Sequence, residues 1–286
     1  MPTTAEELVE LLDLETIDVN LFRGRQPDTG MQRVFGGQVA AQALVAAART
    51  APPEMPVHSL HSYFLRPGDP NVPIVYDVEP IRDGRSFATR RVLARQHGRP
   101  IYALTSNFQV VEEGWDHQDP MPDVTSPEDS FDIVAAMRQK NPEATSEWDR
   151  EWAALDLRYA TDPRAEGQQG RAQARYWIKV GARLPDDPLV HQAALTYASD
   201  LTLIRVTLIP HGNRTPNDRD VQAASLDHTV WFHRPFRADE WLLYDQESPN
   251  ASGARGLAIG RLFAADGRLV ATVAQEGLIR PRPENL

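Results

Sequence analysis

Two hydrophobic spacings alternate along this chain, and the alternation occurs twice. Residues 4–14 place Leu8, Leu11 and Leu12 on one side of a helical period with an acidic face opposite, a short amphipathic helix. NLFRGRQ then reads as a strand. FGGQVAAQALVAAART reads as a helix of about 14 residues, opened by Gly36-Gly37, Ala-rich in its body and stopped at Pro52-Pro53. Period two follows: VHSLHSYFLRP, VPIVYDVEPIRDG and RSFATRRVLARQHGRPIYALTSNFQVV predict an antiparallel meander, with turns at Asp83-Gly84 and His97-Gly98. Residues 112–172 differ. They are rich in proline and acids, as in DPMPDVTSPEDS, and predict one helix capped at Ser126-Pro127-Glu128 within a connector packed over the surface. The alternation then resumes with RYWIKVGARL as a strand. PLVHQAALTYASDLTLI is a helix by the spacing of Leu189, Ala193, Leu195 and Leu201, and a second meander ends in RLFAADGRLVATVAQEGLIRP.

The second half repeats the first. FLRP at 64–67 corresponds to FHRP at 232–235 and VYDVE at 75–79 to LYDQE at 243–247, both at an offset of 168, while the turn in HGRPI matches that in DGRLV at 169. Three anchors on one offset imply an internal duplication. Each copy is strand–helix–meander, an α+β unit in which one helix lies under an antiparallel sheet. The expected organisation is residues 1–111 as the first repeat, 112–172 as the connector and 173–286 as the second. Joining the two sheets edge to edge into one continuous sheet removes two open edges.

Composition narrows the function classes. A net charge of -10 over 286 residues excludes a general nucleic-acid-binding face. With no cysteine there is no disulfide, no Cys-zinc site and no thiol nucleophile. The acidic start MPTTAEELVELLDLE is not a secretory signal, no apolar run reaches the ~20 residues of a membrane span, and the ending PRPENL is not a targeting tag. The cytoplasm is the expected location. HExxH, phosphate-loop and G-x-S-x-G patterns are absent, so neither a metal, a nucleotide-type cofactor nor an acyl-serine elbow is expected.

Three polar side chains stand in otherwise apolar surroundings: Asp200 in LTYASDLTLI, Ser225 in VQAASLDHTVWFHRPF and Gln275 in VAQEGLIRP. Singly, each has an ordinary explanation, as a helix cap, a small residue on a packed strand and an exposed amide. Together they are an acid, a hydroxyl and an amide able to handle a water. The sister copy carries Val57 and Ser106 at the positions of Ser225 and Gln275, and no acid from Gly36 to Arg49. One site per chain follows, built by the second copy. His58, His61, His228 and His233 read as hydrogen-bonded structural histidines, and Arg66 and Arg234 as structural arginines at matching places.

VFGGQVAAQAL, HSYFLRPGD, YDVEPIRDGRSFATRRV, YASD, LDHTVWFHRPF, ASGARG and VAQEGLIR resemble the acyl-CoA thioesterase II family over nearly the whole chain, least in the connector. The resemblance implies a double hotdog fold and hydrolysis of fatty acyl-CoA to free fatty acid and coenzyme A. It also implies a water activated by Asp200, Ser225 and Gln275, with Ser standing where some members have Thr. No protein nucleophile, metal or cofactor is then needed. The opening turn at Gly36-Gly37 is a candidate for stabilising the oxyanion, and the RDGRSFATRR and ASGARG stretches are candidates for coenzyme A phosphates. A homodimer or homotetramer is expected, covering the free sheet face. The rival readings are an acyl-thioester hydratase or dehydratase on the same fold, and a non-catalytic acyl-CoA-binding or sensor protein.

Overall fold

The computed structural model describes residues 1–132, 134–135, 149–160 and 172–282. Helix α1 (Ala5–Leu12) opens at Thr4, whose side chain accepts from the Glu7 amide, and buries the leucines its spacing selects. Strands β1 (Glu15–Asp18) and β2 (Leu21–Gly24) form an edge hairpin, followed by α2 (Gly36–Ala48). The first meander segments become β3 (Val57–Phe64), β4 (Ile74–Asp83), β5 (Phe87–Gln96) and β6 (Arg99–Gln109). At the β5–β6 turn His97 and Gly98 both have positive φ, the two-residue geometry that suits the strand twist.

The connector departs from expectation. Residues 127–129 form a turn rather than a helix, and two short strands follow, β7 (Phe131–Asp132) and β8 (Leu155–Tyr159). The rest of the expected helix, at 133 and 136–148, lies outside the described residues. β8 pairs with β9 (Gln173–Val180), so this segment extends the sheet as well as covering it. Leu155 and Leu157 of β8 enter the main core, and Met121 and Val124 pack on a smaller cluster around Trp177 and Phe263.

In the second half α3 (Pro188–Ser199) is one turn shorter than its apolar pattern, because Asp200 ends it and a 3-10 segment (Leu203–His211) takes over. The sheet then continues with β10 (Val221–Ser225), β11 (Asp227–Phe232), β12 (Leu242–Ser252), β13 (Arg255–Ala264) and β14 (Leu269–Pro281).

One sheet contains all the described strands, in the order β1-β2-β4-β5-β6-β3-β11-β14-β13-β12-β9-β8-β7, with β10 also on β14. The expected meanders are meanders only in part: β4-β5-β6 and β12-β13-β14 are consecutive, while β3 and β11 cross to the far edge of each and pair with one another. At this seam Leu60 lies opposite Val230, His61 opposite Thr229 and Ser62 opposite His228. The offset of 168 takes Leu60 to His228 and Ser62 to Val230, so the register is its own image about the His61–Thr229 pair. The duplication is therefore a pseudo-two-fold in space. Arg66 and Arg234 repeat the symmetry, bonding the Pro100 and Leu269 carbonyls just past the matching hairpin turns.

Helices α2 and α3 pack against each other beside the sheet. In α2 every residue from Gly37 to Ala47 is buried, which an alanine-rich helix permits by letting strands approach closely on several sides. Tyr76 and Tyr244, the matching tyrosines of the YD anchors, are fully buried and reach back to the helices, Tyr76 Oη donating to Gln42 Oε1 at 2.7 Å and Tyr244 Oη to the Ser199 carbonyl at 3.0 Å. The elements and their joined sheet are the arrangement expected of two α+β repeats.

Candidate active site

The three singled-out residues come from three elements and converge. Asp200 is the C-cap of α3, 8 % exposed. Gln275 lies in the middle of β14, 1 % exposed, and is not the exposed strand-end amide that its position alone suggests. Ser225 closes β10. Gln275 Nε2 donates to Asp200 Oδ1 at 2.6 Å and to Ser225 Oγ at 2.6 Å, and Ser225 Oγ lies 3.5 Å from Asp200 Oδ1. Both amide hydrogens are thus spent on the other two members, and the charge-assisted one is the stronger.

A bulge makes this convergence possible. Along β14, Gly277 opposes Ser225 and Ala274 opposes Thr229, so four steps on one side match three on the other. The extra residue sits at the β10–β11 junction, where Leu226 N–H donates to the Glu276 carbonyl and Glu276 N–H to Asp227 Oδ1. In an unbroken strand, residues 225 and 228 would face opposite ways; the insertion turns both inward.

Asp200 Oδ1 holds the amide, while Oδ2 faces the start of α2. A methyl group added to Gly36 would sit 2.6 Å from Asp200 Oδ2 and 2.8 Å from the Phe64 ring, and one on Gly37 would strike the Tyr197 carbonyl at 2.3 Å. The two glycines are there for close approach between the repeats. Phe35, the N-cap of α2, supplies no side-chain cap, so the positive end of the helix meets the carboxylate of the opposite repeat uncapped.

The electrostatics mark the same place. Burial, followed by the Asp200 charge, raises the Tyr244 hydroxyl well above its ordinary pKa, and burial also raises Tyr102 with Asp200 contributing. Tyr102 packs against Phe64 with tilted rings, centroids 5.1 Å apart. His228, fully buried, has its pKa lowered by burial against the pull of Asp200 and Asp227. Its Nε2 lies 2.9 Å from Ser199 Oγ, and not on Ser225, so the hydroxyl has no imidazole base.

Several readings of single residues are refined. His58 meets Asn107 Oδ1 at 3.2 Å and His233 meets Thr272 Oγ1 at 2.8 Å, as structural histidines do. Within RDGRSFATRR, Arg90 is 2 % exposed and tied to Thr50 and Asp83, so it is withdrawn from any phosphate role. Arg255 of ASGARG pairs with Glu276. Tyr102, Phe64 and Ser199 were missed; a tyrosine inside an alternating strand carries no signal of what it will face. Among the described residues no group of His, Asp and Glu is arranged to hold a metal, and no helix is long and apolar enough to cross a membrane.

Comparison with known proteins agrees across the chain. The family model described as acyl-CoA thioesterase matches residues 149–278, and that described as acyl-CoA thioesterase N-terminal domain matches 24–109. Acyl-CoA thioesterase 2 of Haemophilus influenzae is 42% identical over 285 residues, covering 98% of this chain and 99% of its own. A crystal structure of an acyl-CoA thioesterase II from Mycobacterium marinum superposes with a TM-score of 0.82 at 44% identity, covering 97% of this chain and 99% of that one. A hot dog fold protein from Alicyclobacillus acidocaldarius, 24% identical with a TM-score of 0.76 over 96% of this chain and 98% of its own, supports the fold alone.

Proposed function

The chain belongs to the acyl-CoA thioesterase family, and from that premise we propose that it hydrolyses fatty acyl-CoA by direct attack of a water held by Asp200, Ser225 and Gln275. The observation that carries the site is the shared Gln275 amide, which donates at 2.6 Å to both other members and so gives the three one geometry.

The roles follow from the donors and acceptors. Asp200 Oδ2, the oxygen turned toward Gly36, takes a proton from the water as its oxygen bonds to the thioester carbonyl carbon. The C–S bond then breaks and coenzyme A leaves as its thiolate, to be protonated by Asp200 or by solvent. Ser225, fixed in place by the Gln275 amide, holds the water in line for this attack. Negative charge grows on the carbonyl oxygen, and the uncapped start of α2 at Gly36-Gly37 is the donor set aimed at that place. Asp200 cannot deliver its base to Ser225 through an imidazole, which favours water over an acyl-serine route.

The test is free-thiol release from a ladder of saturated acyl-CoAs, run on the wild type and on Asp200→Asn. Loss of a general base predicts a kcat lower by about 10²- to 10⁴-fold at unchanged melting temperature. Equal turnover in both proteins would remove Asp200 from the mechanism. Binding without turnover by the wild type at every acyl length would favour the sensor reading.

A further inference from the structure

We infer that the uncharged centre of the sheet's outer face binds a second copy of this chain, back to back on the pseudo-two-fold axis. The inference is independent of the reaction and of the residues that carry it.

The outer face divides into three zones. On β9, β12 and β13 the connector covers it, Met121 and Val124 packing on the cluster of Trp177, Leu243 and Phe263. On β4 and β5 it carries paired charges, Arg91 with Glu79 and Arg95 with Asp77. Between these flanks lie the four central strands β6, β3, β11 and β14, whose outward row across the seam is Thr105, His61, Thr229 and Ala274. Two aromatics stand on opposite sides of that row: Tyr63, 62 % exposed, and Trp231, 36 % exposed. The His61 ring meets Trp231 nearly at right angles, centroids 5.3 Å apart. The carboxylate opposite Tyr63, that of Asp227, accepts from the Glu276 N–H at 2.7 Å. A single exposed apolar residue needs no explanation, whereas two large aromatics in one uncharged centre have the composition of an interface core.

Symmetry identifies the partner. The offset of 168 carries Tyr63 to Trp231 and His61 to Thr229, so the patch is nearly its own image under a half-turn about the sheet normal. A two-fold interface requires a surface that complements itself. In a back-to-back pair whose pseudo-axes coincide, each contact made near Tyr63 recurs in kind near Trp231. A partner lacking that symmetry fits one half of the patch only. Charge agrees: at a net -10 two copies repel over most approaches, and here they meet without opposing carboxylates. Four strands by three outward residues span roughly 20 Å each way, the size of an interface core. The ion pairs of Arg91 with Glu79 and of Arg261 with Asp245, on the strands to either side, then form its polar rim. Gln275 faces away from its outward neighbour Ala274, so each copy keeps a complete site on the far side of the sheet.

The experiment is the mass of the full chain in solution, by light scattering across a concentration series, for the wild type, Trp231→Glu, Tyr63→Glu and Val19→Glu. Val19 is exposed at the far edge of the sheet and serves as the control. The wild type and Val19→Glu are expected at an even number of chains. Either central variant sets carboxylates against one another across the axis and raises the dissociation constant about 30-fold or more, as loss of a central aromatic anchor does. Tyr63 and Trp231 lie on different strands, so the failure of one variant to fold leaves the other. Because the chain has no cysteine, Thr229→Cys reads the geometry directly: on the axis it is joined to its copy by a short bis-maleimide, and Val19→Cys is not. A wild type with the mass of one chain at every concentration would overturn the proposal, leaving the face to another partner or to none. So would an oligomer indifferent to both central variants, or one cross-linked through Val19→Cys and not through Thr229→Cys.

Discussion

Gln275 shows how much one residue's meaning depends on its neighbours. Its Nε2 lies 2.6 Å from a carboxylate oxygen, a contact that requires a donor at that atom. Gln275→Glu replaces the donor with a second carboxyl group at the same distance. Two carboxyls so placed cannot both ionise, and they share a proton with one apparent pKa strongly raised. The pair then keeps one proton between its two carboxyls toward neutral pH, and that proton competes with the one the water must give up. The expected outcome is low activity at pH 7 that recovers partly as pH rises, moving the acid limb of the rate profile upward; a pH–rate series on the two proteins measures it. A profile scaled down without a shift would mean that the amide does not touch the base. Asp200 and Ser225 were visible as polar residues in an apolar helix and an apolar strand, whereas the direction of the Gln275 side chain and its burial were not, because its side-chain partners lie 75 and 50 residues away.

At the scale of elements, the start of α2 has no room for a side chain. Gly36 is the first helical residue, and a Cβ there would stand 2.6 Å from Asp200 Oδ2 and 2.8 Å from Phe64. Gly36→Ala therefore either pushes the carboxylate out of place or tilts the helix. We expect kcat to fall at least tenfold, and the stability to drop by the cost of an overpacked contact, about 1–3 kcal/mol, read as a lower melting temperature. Full activity in this variant would show that Oδ2 and the helix start do not share the reaction space. The glycine pair and its helix were legible in the sequence. Their partner was not: the carboxylate they admit lies on the other repeat. The β10–β11 bulge belongs here as well. Period-two reading assumes unbroken parity, and a single inserted residue reverses it for everything beyond.

For the whole molecule, the histidines set a pH dependence of stability. His61, His191, His228 and His233 all have pKa values lowered from 6.5, with burial the first cause in each. A histidine depressed in the folded state binds its proton more readily when unfolded, so the unfolded chain carries more protons below pH ~6.5. Stability is fully present above that value and is lost as pH falls through it. Asp227, whose carboxyl is raised by burial, works the other way at lower pH and offsets part of the loss. Melting temperatures from pH 8 to pH 5 should hold steady and then decline below about 6.5, with a shallower decline in His228→Leu. A flat profile would mean that these rings are not buried neutral. Tyr63 and Trp231 remain exposed on the outer face of the sheet, beside the pseudo-two-fold axis.

Alternation and helical period, local properties of the chain, were enough to place the central helix and the long strands of each repeat, and the offset of 168 disclosed the duplication before any coordinates. The ordered motifs carried the family and the three polar residues of the site. Only the tertiary structure decided how those parts meet. β3 and β11 leave their meanders to form the seam, β8 joins the sheet from within the connector, and a bulge turns Ser225 inward. His228, read as a structural histidine, is fully buried and meets Ser199 of the preceding helix. Each of these is a contact between segments far apart in sequence, where register and burial depend on which partner arrives. Nothing in the spacing of a single strand encodes that choice.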